Sequence, residues 1–334
     1  MIGRDFSFKH HALALLCFIT PLTAPAQAAS TTSAQAYPSK PIRFIVPFPA
    51  GGAGDLVMRP LAQKMSESWR QPVVLDNRAG ASGALGLQLA ANAPPDGHTL
   101  VMGTASTHSI NPALHRDLPY DPIRQFTPIA WLAIVPNVLV AHPSLPARSL
   151  QELIQLARGK PGQLTFASNG TGTSAHMAGE LLKRAAGIDI LHVPYKGAGI
   201  AVNDALGGHV QLLFGAVATT LPQVQAGKLR ALAVTGARRS AAAPSVPTVA
   251  ESGYPGFEVV QWFGAFGPTG TPMPIVSKLN AELNRALSQP DVHEGYARQG
   301  FETRPATAEQ FAGYLRSEHA KWSKLIREAG IRAE

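Results

Sequence analysis

The residues most able to bind a ligand lie in a glycine-rich loop, Val46-Pro-Phe-Pro-Ala-Gly-Gly-Ala-Gly-Asp55, between an apolar strand and a helix. Glycines let a backbone turn sharply and approach a ligand closely. The first amides of a helix have no partner inside it and carry a partial positive charge. The loop therefore predicts a backbone anion site, with candidate residues Phe48, Ala50, Gly51, Gly52, Ala53, Gly54 and Asp55. A tight turn capped by Asp55 is the alternative interpretation.

A second loop repeats this pattern, Phe166-Ala-Ser-Asn-Gly-Thr-Gly-Thr-Ser-Ala-His176. Its hydroxyl groups can donate to a carboxylate, or they can cap the following helix. Two such loops facing each other across a cleft could hold an acid by both ends. The candidate residues here are Asn169, Gly170, Thr171, Gly172, Thr173 and Ser174.

Polar residues also follow other predicted strands, in Asp76–Gly80, Thr104–His108 and Val193–Gly197. Each segment alone is typical of ordinary turns. Because α/β sheets bind ligands beyond the carboxyl ends of their strands, together they predict one rim, to which Tyr195 belongs.

Sequence patterns of catalysis and metal binding are absent. The glycine spacings match neither nucleotide-binding motif, and no H-E-x-x-H or G-x-S-x-G is present. The single cysteine, Cys17, lies in the N-terminal apolar run. We therefore predict a protein that is not an enzyme, with no catalytic residue, no metal and no cofactor. A hydrolase using Ser174 and His176 is the enzyme alternative.

Alternating strands and helices must position these loops, and this alternation predicts parallel sheets covered by helices. Strands are expected at 42–46, 72–75, 98–102, 164–167, 190–193, 210–214 and 229–234. Helices are expected at 56–69, 85–91, 149–158, 175–186, 200–206, 274–287 and 307–328, with capping boxes at Ser149–Glu152 and Thr307–Gln310. A proline-rich stretch, 119–146, separates the two series.

The helical tail has no sheet of its own and must pack on one of the two α/β units. If it returns to the first, the chain crosses twice, near 136–140 and 258–262. The prediction is a first lobe of residues 37–137 and 261–334 and a second lobe of 138–260. Two lobes joined by two short strands can close over a ligand.

The N-terminus indicates export. A basic start, an apolar run of about a dozen residues and Ala26-Gln27-Ala28 predict a signal peptide over 1–28. A retained anchor is the alternative, but a span needs roughly 20 apolar residues. The net charge of +8 is scattered without a basic stripe, so no nucleic-acid partner is predicted. A positive field does draw in small anions.

With these segments in view, the chain resembles the Bug family, the periplasmic solute receptors of tripartite tricarboxylate transporters. The likeness runs from Tyr37 to about Ile331. It rests on Pro38–Gly52 with Asp55 and Arg59, Asp76–Gly83, Asn169–Thr173 with His176, His192–Gly197, Ala226–Val234 and Val246–Gly253.

The resemblance implies a type II periplasmic-binding-protein fold, two α/β lobes joined by two hinge strands with a ligand cleft between them. It implies a small carboxylate, an organic acid or an amino acid, on the loop Ala50–Gly54, with Thr104, Ser106 and His108 lining the wall. The implied partners are membrane subunits of a tripartite tricarboxylate-type transporter, and a monomer is expected. Family members often carry Asp-Asn where this chain has Gly215-Ala216, so the ligand's identity stays open. A periplasmic sensing module is the alternative function.

Overall fold

The computed structural model describes residues 37–115 and 117–331. The predicted signal peptide, 1–28, lies outside these residues. Within the described part of the chain, no helix is long and apolar enough to cross a membrane.

The first series of elements forms a parallel sheet in which β1 pairs with both β2 and β3. β1 and β3 are largely buried, as expected for a parallel sheet with helices on its faces, whereas β2 at the edge is more exposed. The elements are β1 (Ile42–Val46), α1 (Ala53–Trp69), β2 (Val73–Asn77), α2 (Ala84–Ala91), β3 (Thr99–Thr104) and α3 (Asn111–Leu114).

The second series repeats the arrangement, with β5 parallel to β6 and β7. After β4 (Phe126–Ala141) come α4 (Leu150–Gly159), β5 (Thr165–Ser168), α5 (Ser174–Ala186), β6 (Leu191–Pro194), α6 (Ala198–Leu206), β7 (Leu212–Ala216), α7 (Val217–Gln225) and β8 (Arg230–Val234). The chain ends with β9 (Val260–Pro268), α8 (Met273–Leu287), α9 (Pro290–Arg298), β10 (Glu302–Thr303) and α10 (Ala308–Ala329).

The long strand β4 joins the two sheets. Its first part, to Pro136, pairs with β9, whereas its last part, from Asn137, pairs with β7 and β8. The strand orders are β2-β1-β3-β9-β4 and β6-β5-β7-β4-β8, so the two sheets share one topology. This is a two-lobed α/β fold of the type II class; the residue boundaries of the lobes stay a prediction.

The core consists of two apolar layers, one on each face of the curled sheet. Side chains alternate between faces along a strand, so Phe44 and Leu213 contribute to one layer and Ile45 and Phe214 to the other. Because both layers continue from one lobe to the other, the loops at the strand ends are held by a shared framework.

Several expected elements differ from those observed. Helix α1 begins at Ala53 instead of 56, which places Asp55 in its first turn. The proline-rich stretch contains most of β4, whose pairing shifts register just after Pro128. The Thr307–Gln310 capping box is confirmed. The Ser149–Glu152 capping box is only half formed. Ser149 Oγ accepts from Glu152 N–H as predicted, but the Glu152 carboxylate accepts from Arg148 N–H instead of Ser149 N–H.

Candidate functional site

A cavity of about 50 Å³ lies between the lobes, beyond the carboxyl ends of β1 and β7. One buried water needs roughly 10–15 Å³, so the cavity has room for a few waters or for one end group of a ligand, such as a carboxylate. It is walled by the loop before α1 and by the starts of α6 and α7.

In the first lobe, the loop after β1 presents the start of α1 to the cavity. Of the residues predicted there, Phe48, Ala50, Gly52, Ala53 and Gly54 line the wall. Gly52 is the N-cap of α1 and has an extended backbone conformation. Because glycine has no side chain, it makes no capping hydrogen bond to the helix. Within the described residues, the N–H groups of Ala53 and Gly54 have no partner. They are the free donors expected at a helix start.

Asp55 and Gly51 do not line the cavity; they stabilise the loop that does. The buried Asp55 carboxylate accepts from Gly51 N–H at 3.0 Å and pairs with Arg59 at 2.8 Å. Burial by itself would raise the pKa of Asp55. The hydrogen bond from Gly51 and the charge of Arg59 outweigh it and hold that pKa below its ordinary value. The ionised Asp55 side chain therefore stabilises the loop. The alternative interpretation, in which Asp55 caps the helix, is wrong.

In the second lobe, α6 and α7 point their N-termini at the same cavity, through Gly197, Ala198 and Ala216. Gly197 has φ +139°, and a Cβ there would lie 3.1 Å from Pro49 Cγ of the other lobe. Only glycine fits this conformation and this approach comfortably. Three helix N-termini, each with a partial positive charge, therefore converge on one small space.

The remaining wall is apolar except for a few uncharged side chains. Thr220 is fully buried, and its Oγ1 has no hydrogen-bond partner within residues 37–115 and 117–331. Gln261, 7% exposed, and Asn169 also line the space. No Asp, Glu, Lys or Arg is among the described lining residues. An anion here would be held by backbone dipoles and neutral groups.

The second glycine-rich loop contributes less to the cavity than expected. Only Asn169 lines it; Gly170, Thr171 and Tyr195 line a wider adjoining opening of about 600 Å³ together with Phe48. The other amides are used locally, since Gly172 N–H donates to His176 Nδ1 and His176 N–H to Thr173 Oγ1. Gly172, Thr173 and Ser174 lie in neither space. The starts of α6 and α7 are the site elements that sequence reasoning missed.

Thr104, Ser106 and His108 lie in the core beside β9 and do not line the cavity. The His108 ring stacks on Phe266 at 4.1 Å, and burial lowers its pKa to about 3. Tyr195 donates to Asp204 at 2.6 Å; burial, followed by this hydrogen bond, raises its pKa to about 12.

Ser174 and His176 are not arranged as a catalytic pair. Ser174 Oγ accepts from Asn137 Nδ2, whereas His176 Nδ1 accepts from Gly172 N–H. The His176 ring stacks on His192 at 4.1 Å, and burial with the neighbouring His192 lowers its pKa to about 3. A general base works best with a pKa near the operating pH, so this geometry gives the hydrolase alternative no support. Across the described residues, no group of three His, Cys, Asp or Glu side chains could hold a metal ion.

The two lobes, the shared β4 and the enclosed cavity define a two-lobed ligand-binding protein. A family model described as "Tripartite tricarboxylate transporter family receptor" matches residues 57–331. The chain belongs to this family, which confirms the resemblance drawn from its motifs.

Known relatives are similar to this chain over nearly its whole length. Protein BugT of Bordetella pertussis is 39% identical over 319 residues, covering 95% of this chain and 98% of the relative. A protein of R. palustris solved with adipate has a TM-score of 0.86 and 35% identity, covering 89% of this chain and 99% of that one. MatC from Rhodopseudomonas palustris, with bound malate, has a TM-score of 0.82 and 34% identity, covering 87% and 100%.

Proposed function

We propose that this chain is an extracytoplasmic solute-binding protein that captures a small carboxylate, an organic acid or an amino acid, between its lobes. Its cargo is delivered to membrane subunits of a tripartite tricarboxylate-type transporter. The protein acts as a monomer in the periplasm after removal of residues 1–28, and it carries out no reaction.

The observation that carries this proposal is the convergence of the starts of α1, α6 and α7 on one cavity without charged side chains. A carboxylate only accepts hydrogen bonds, and free helix-start amides only donate them. The partial positive charges of three helix ends complement one anionic group.

Ligands of two structural relatives support the substrate class. The adipate-bound protein of R. palustris and malate-bound MatC each hold a small organic acid. Both ligands are carboxylates, and a cavity that offers hydrogen-bond donors without charged side chains can bind a carboxylate. We therefore propose that this chain also binds a small carboxylate.

A thermal-shift screen of small carboxylic and amino acids tests the proposal. A ligand that binds only the folded protein stabilises it by RT ln(1 + [L]/Kd), so Tm rises as the ligand concentration exceeds Kd. We expect at least one acid to do so, and the uncharged amide of the same acid to have no effect. If no acid in a broad library shifted Tm, the proposed function would be wrong.

Ala53→Pro tests the amide at the start of α1. Proline is well tolerated at the first helical position, and Gly52 already has the extended conformation (ψ 169°) that precedes proline comfortably. Loss of one hydrogen bond to a charged group, about 1.5–3 kcal/mol, should weaken acid binding about 10- to 100-fold by calorimetry.

Ala308→Pro is the matched control, because it also begins a helix after an extended N-cap (Thr307, ψ 161°) but lies away from the cavity. It should leave affinity unchanged. Equal affinity of the two variants would contradict the role of the α1 start.

A further inference from the structure

The segment Gly80–Gly83, directly before α2, has a strained backbone. Its residues all have positive φ, in chain order +143°, +46°, +52° and +96°. In the part of the chain that the structure describes, the other non-glycine residue with positive φ is Arg70, at the end of α1. This left-handed conformation is unfavourable for an L-residue, because its Cβ lies too close to a backbone carbonyl oxygen. Ala81 and Ser82 are therefore strained where glycine would not be.

Contacts with the other lobe stabilise this strained conformation. Ser82 Oγ donates to Thr171 O of the second lobe at 2.5 Å, and a Cβ on Gly170 would lie 3.4 Å from the same hydroxyl. The Ser82 carbonyl oxygen accepts from Asn111 Nδ2 at 3.2 Å. Asn111 in turn lies so close to Gly172 of the second lobe that a Cβ there would clash with its side chain. The bonds that fix Ser82 thus include second-lobe partners.

The same segment forms part of the entrance to the ligand cavity. Together with Gly170 and Thr171, it lines the opening of about 600 Å³ that adjoins the cavity. This opening has walls from both lobes, so it has this shape only when the lobes are together. Strained residues keep their conformation only where their surroundings enforce it. When the lobes separate, Gly170 and Thr171 withdraw from Ser82, and the segment is free to relax.

We propose that Gly80–Gly83 is a conformational latch, relaxed in the open, ligand-free protein and driven into the left-handed conformation when the lobes close on a captured acid. The Ser82–Thr171 hydrogen bond fastens the closed state. The backbone strain opposes it, so part of the binding free energy of the acid goes into straining the segment. The strain therefore weakens binding and favours release of the acid. This inference rests on the proposed function.

Ala81→Gly tests the latch, because glycine adopts the left-handed conformation without strain. Calorimetric titration uses malate and adipate, the acids bound by the two structural relatives, and any further acid that raises Tm. The variant should bind the acid about three- to tenfold more tightly than the wild type, since closure no longer strains residue 81. Unchanged or weaker binding by the variant overturns the inference alone. If no acid binds the wild type, the proposed function fails with it.

Arg70→Gly is the matched control. Arg70 has φ 52° and ψ 30°, nearly the conformation of Ser82 (φ 52°, ψ 34°), but it lines neither the cavity nor the opening. Its strain is present in both states, so Arg70→Gly should stabilise the ligand-free protein in urea unfolding and leave affinity unchanged.

Ala81→Gly should show the opposite pattern. It should not stabilise the ligand-free protein, because the segment is already relaxed there and glycine adds freedom to the unfolded chain. A more stable ligand-free Ala81→Gly protein with unchanged affinity would show that the segment is strained permanently, and it would contradict the latch.

Discussion

At the scale of single residues, the Asp55 carboxylate stabilises the loop without lining the cavity. It joins Gly51 N–H, the Arg59 guanidinium and, at 3.4 Å, the Asn77 amide. These bonds fix the turn before α1, while the amides of Ala53 and Gly54 have no partner among the residues that the structure describes. An unpaired carboxylate so close to the proposed anion site would repel the ligand; the pairing of Asp55 with Arg59 offsets that charge.

Asp55→Asn should therefore destabilise the fold in a pH-dependent manner. Because the folded-state pKa is depressed, the ionised carboxylate contributes stability above its unfolded pKa of about 3.9, and this is lost as pH falls through the folded value. We expect a loss of about 1–3 kcal/mol at pH 7, shrinking towards pH 3, in urea unfolding. Asp291→Asn, at an exposed ion pair with Lys64, should cost much less, because solvent screens exposed ion pairs. A deficit of equal size at both pH values would argue against this role.

At the scale of elements, Thr235 ties together the two strands that pass between the lobes. Its buried hydroxyl accepts from Asn137 N–H of β4 at 2.9 Å and donates to Val259 O, next to β9, at 2.6 Å. The crossing strands are thereby linked by a side chain where the two sheets meet. This link lies outside the ligand cavity, so it belongs to the framework.

Thr235→Val should destabilise the protein, since it leaves a buried N–H and a buried C=O without partners. Each unsatisfied group costs about 1–3 kcal/mol, so we expect a total of about 2–6 kcal/mol by urea unfolding. Thr235→Ser keeps the hydroxyl and should lose only the methyl contribution, about 1 kcal/mol. Equal stability of the two variants would show that the hydroxyl does not link the strands.

The elements that could be predicted from sequence were those with a local signal. Short apolar runs predicted β1, β5 and β7, and a capping box predicted the start of α10. Helix α7 was missed because its Thr219-Thr220 and Pro222 are poor helix formers in isolation. The first-lobe loop was predictable because its glycines lie directly before the helix that faces the cavity.

The second-lobe site was harder to predict. Glycines mark a turn, but which helix start faces the other lobe depends on strand order. The sequence therefore favoured the start of α5 at Gly172, whereas those of α6 and α7 line the cavity.

At the scale of the whole molecule, the lobes touch each other directly as well as across the cavity. Ser82 Oγ of the first lobe donates to Thr171 O of the second at 2.5 Å, and within the first lobe Asn111 Nδ2 donates to Ser82 O at 3.2 Å. Gly172 packs so closely on Asn111 that a Cβ would clash with its side chain. The loop before α5 therefore contacts both the loop before α2 and Asn111 of α3, which links the two lobes beside the cavity.

Ser82→Ala should shorten the lifetime of the closed, ligand-bound state without altering the cavity, because neither Ser82 nor Thr171 lines it. Losing one hydrogen bond worth about 0.5–1.5 kcal/mol should speed dissociation of a bound acid roughly 2- to 10-fold, whereas the association rate should change little. Stopped-flow fluorescence with the acid identified by thermal shift measures both rates. Ser288→Ala, an exposed serine bonded within its own helix, is the control and should leave both rates unchanged. An unaltered dissociation rate in Ser82→Ala would mean that closure depends on the ligand and the strands alone.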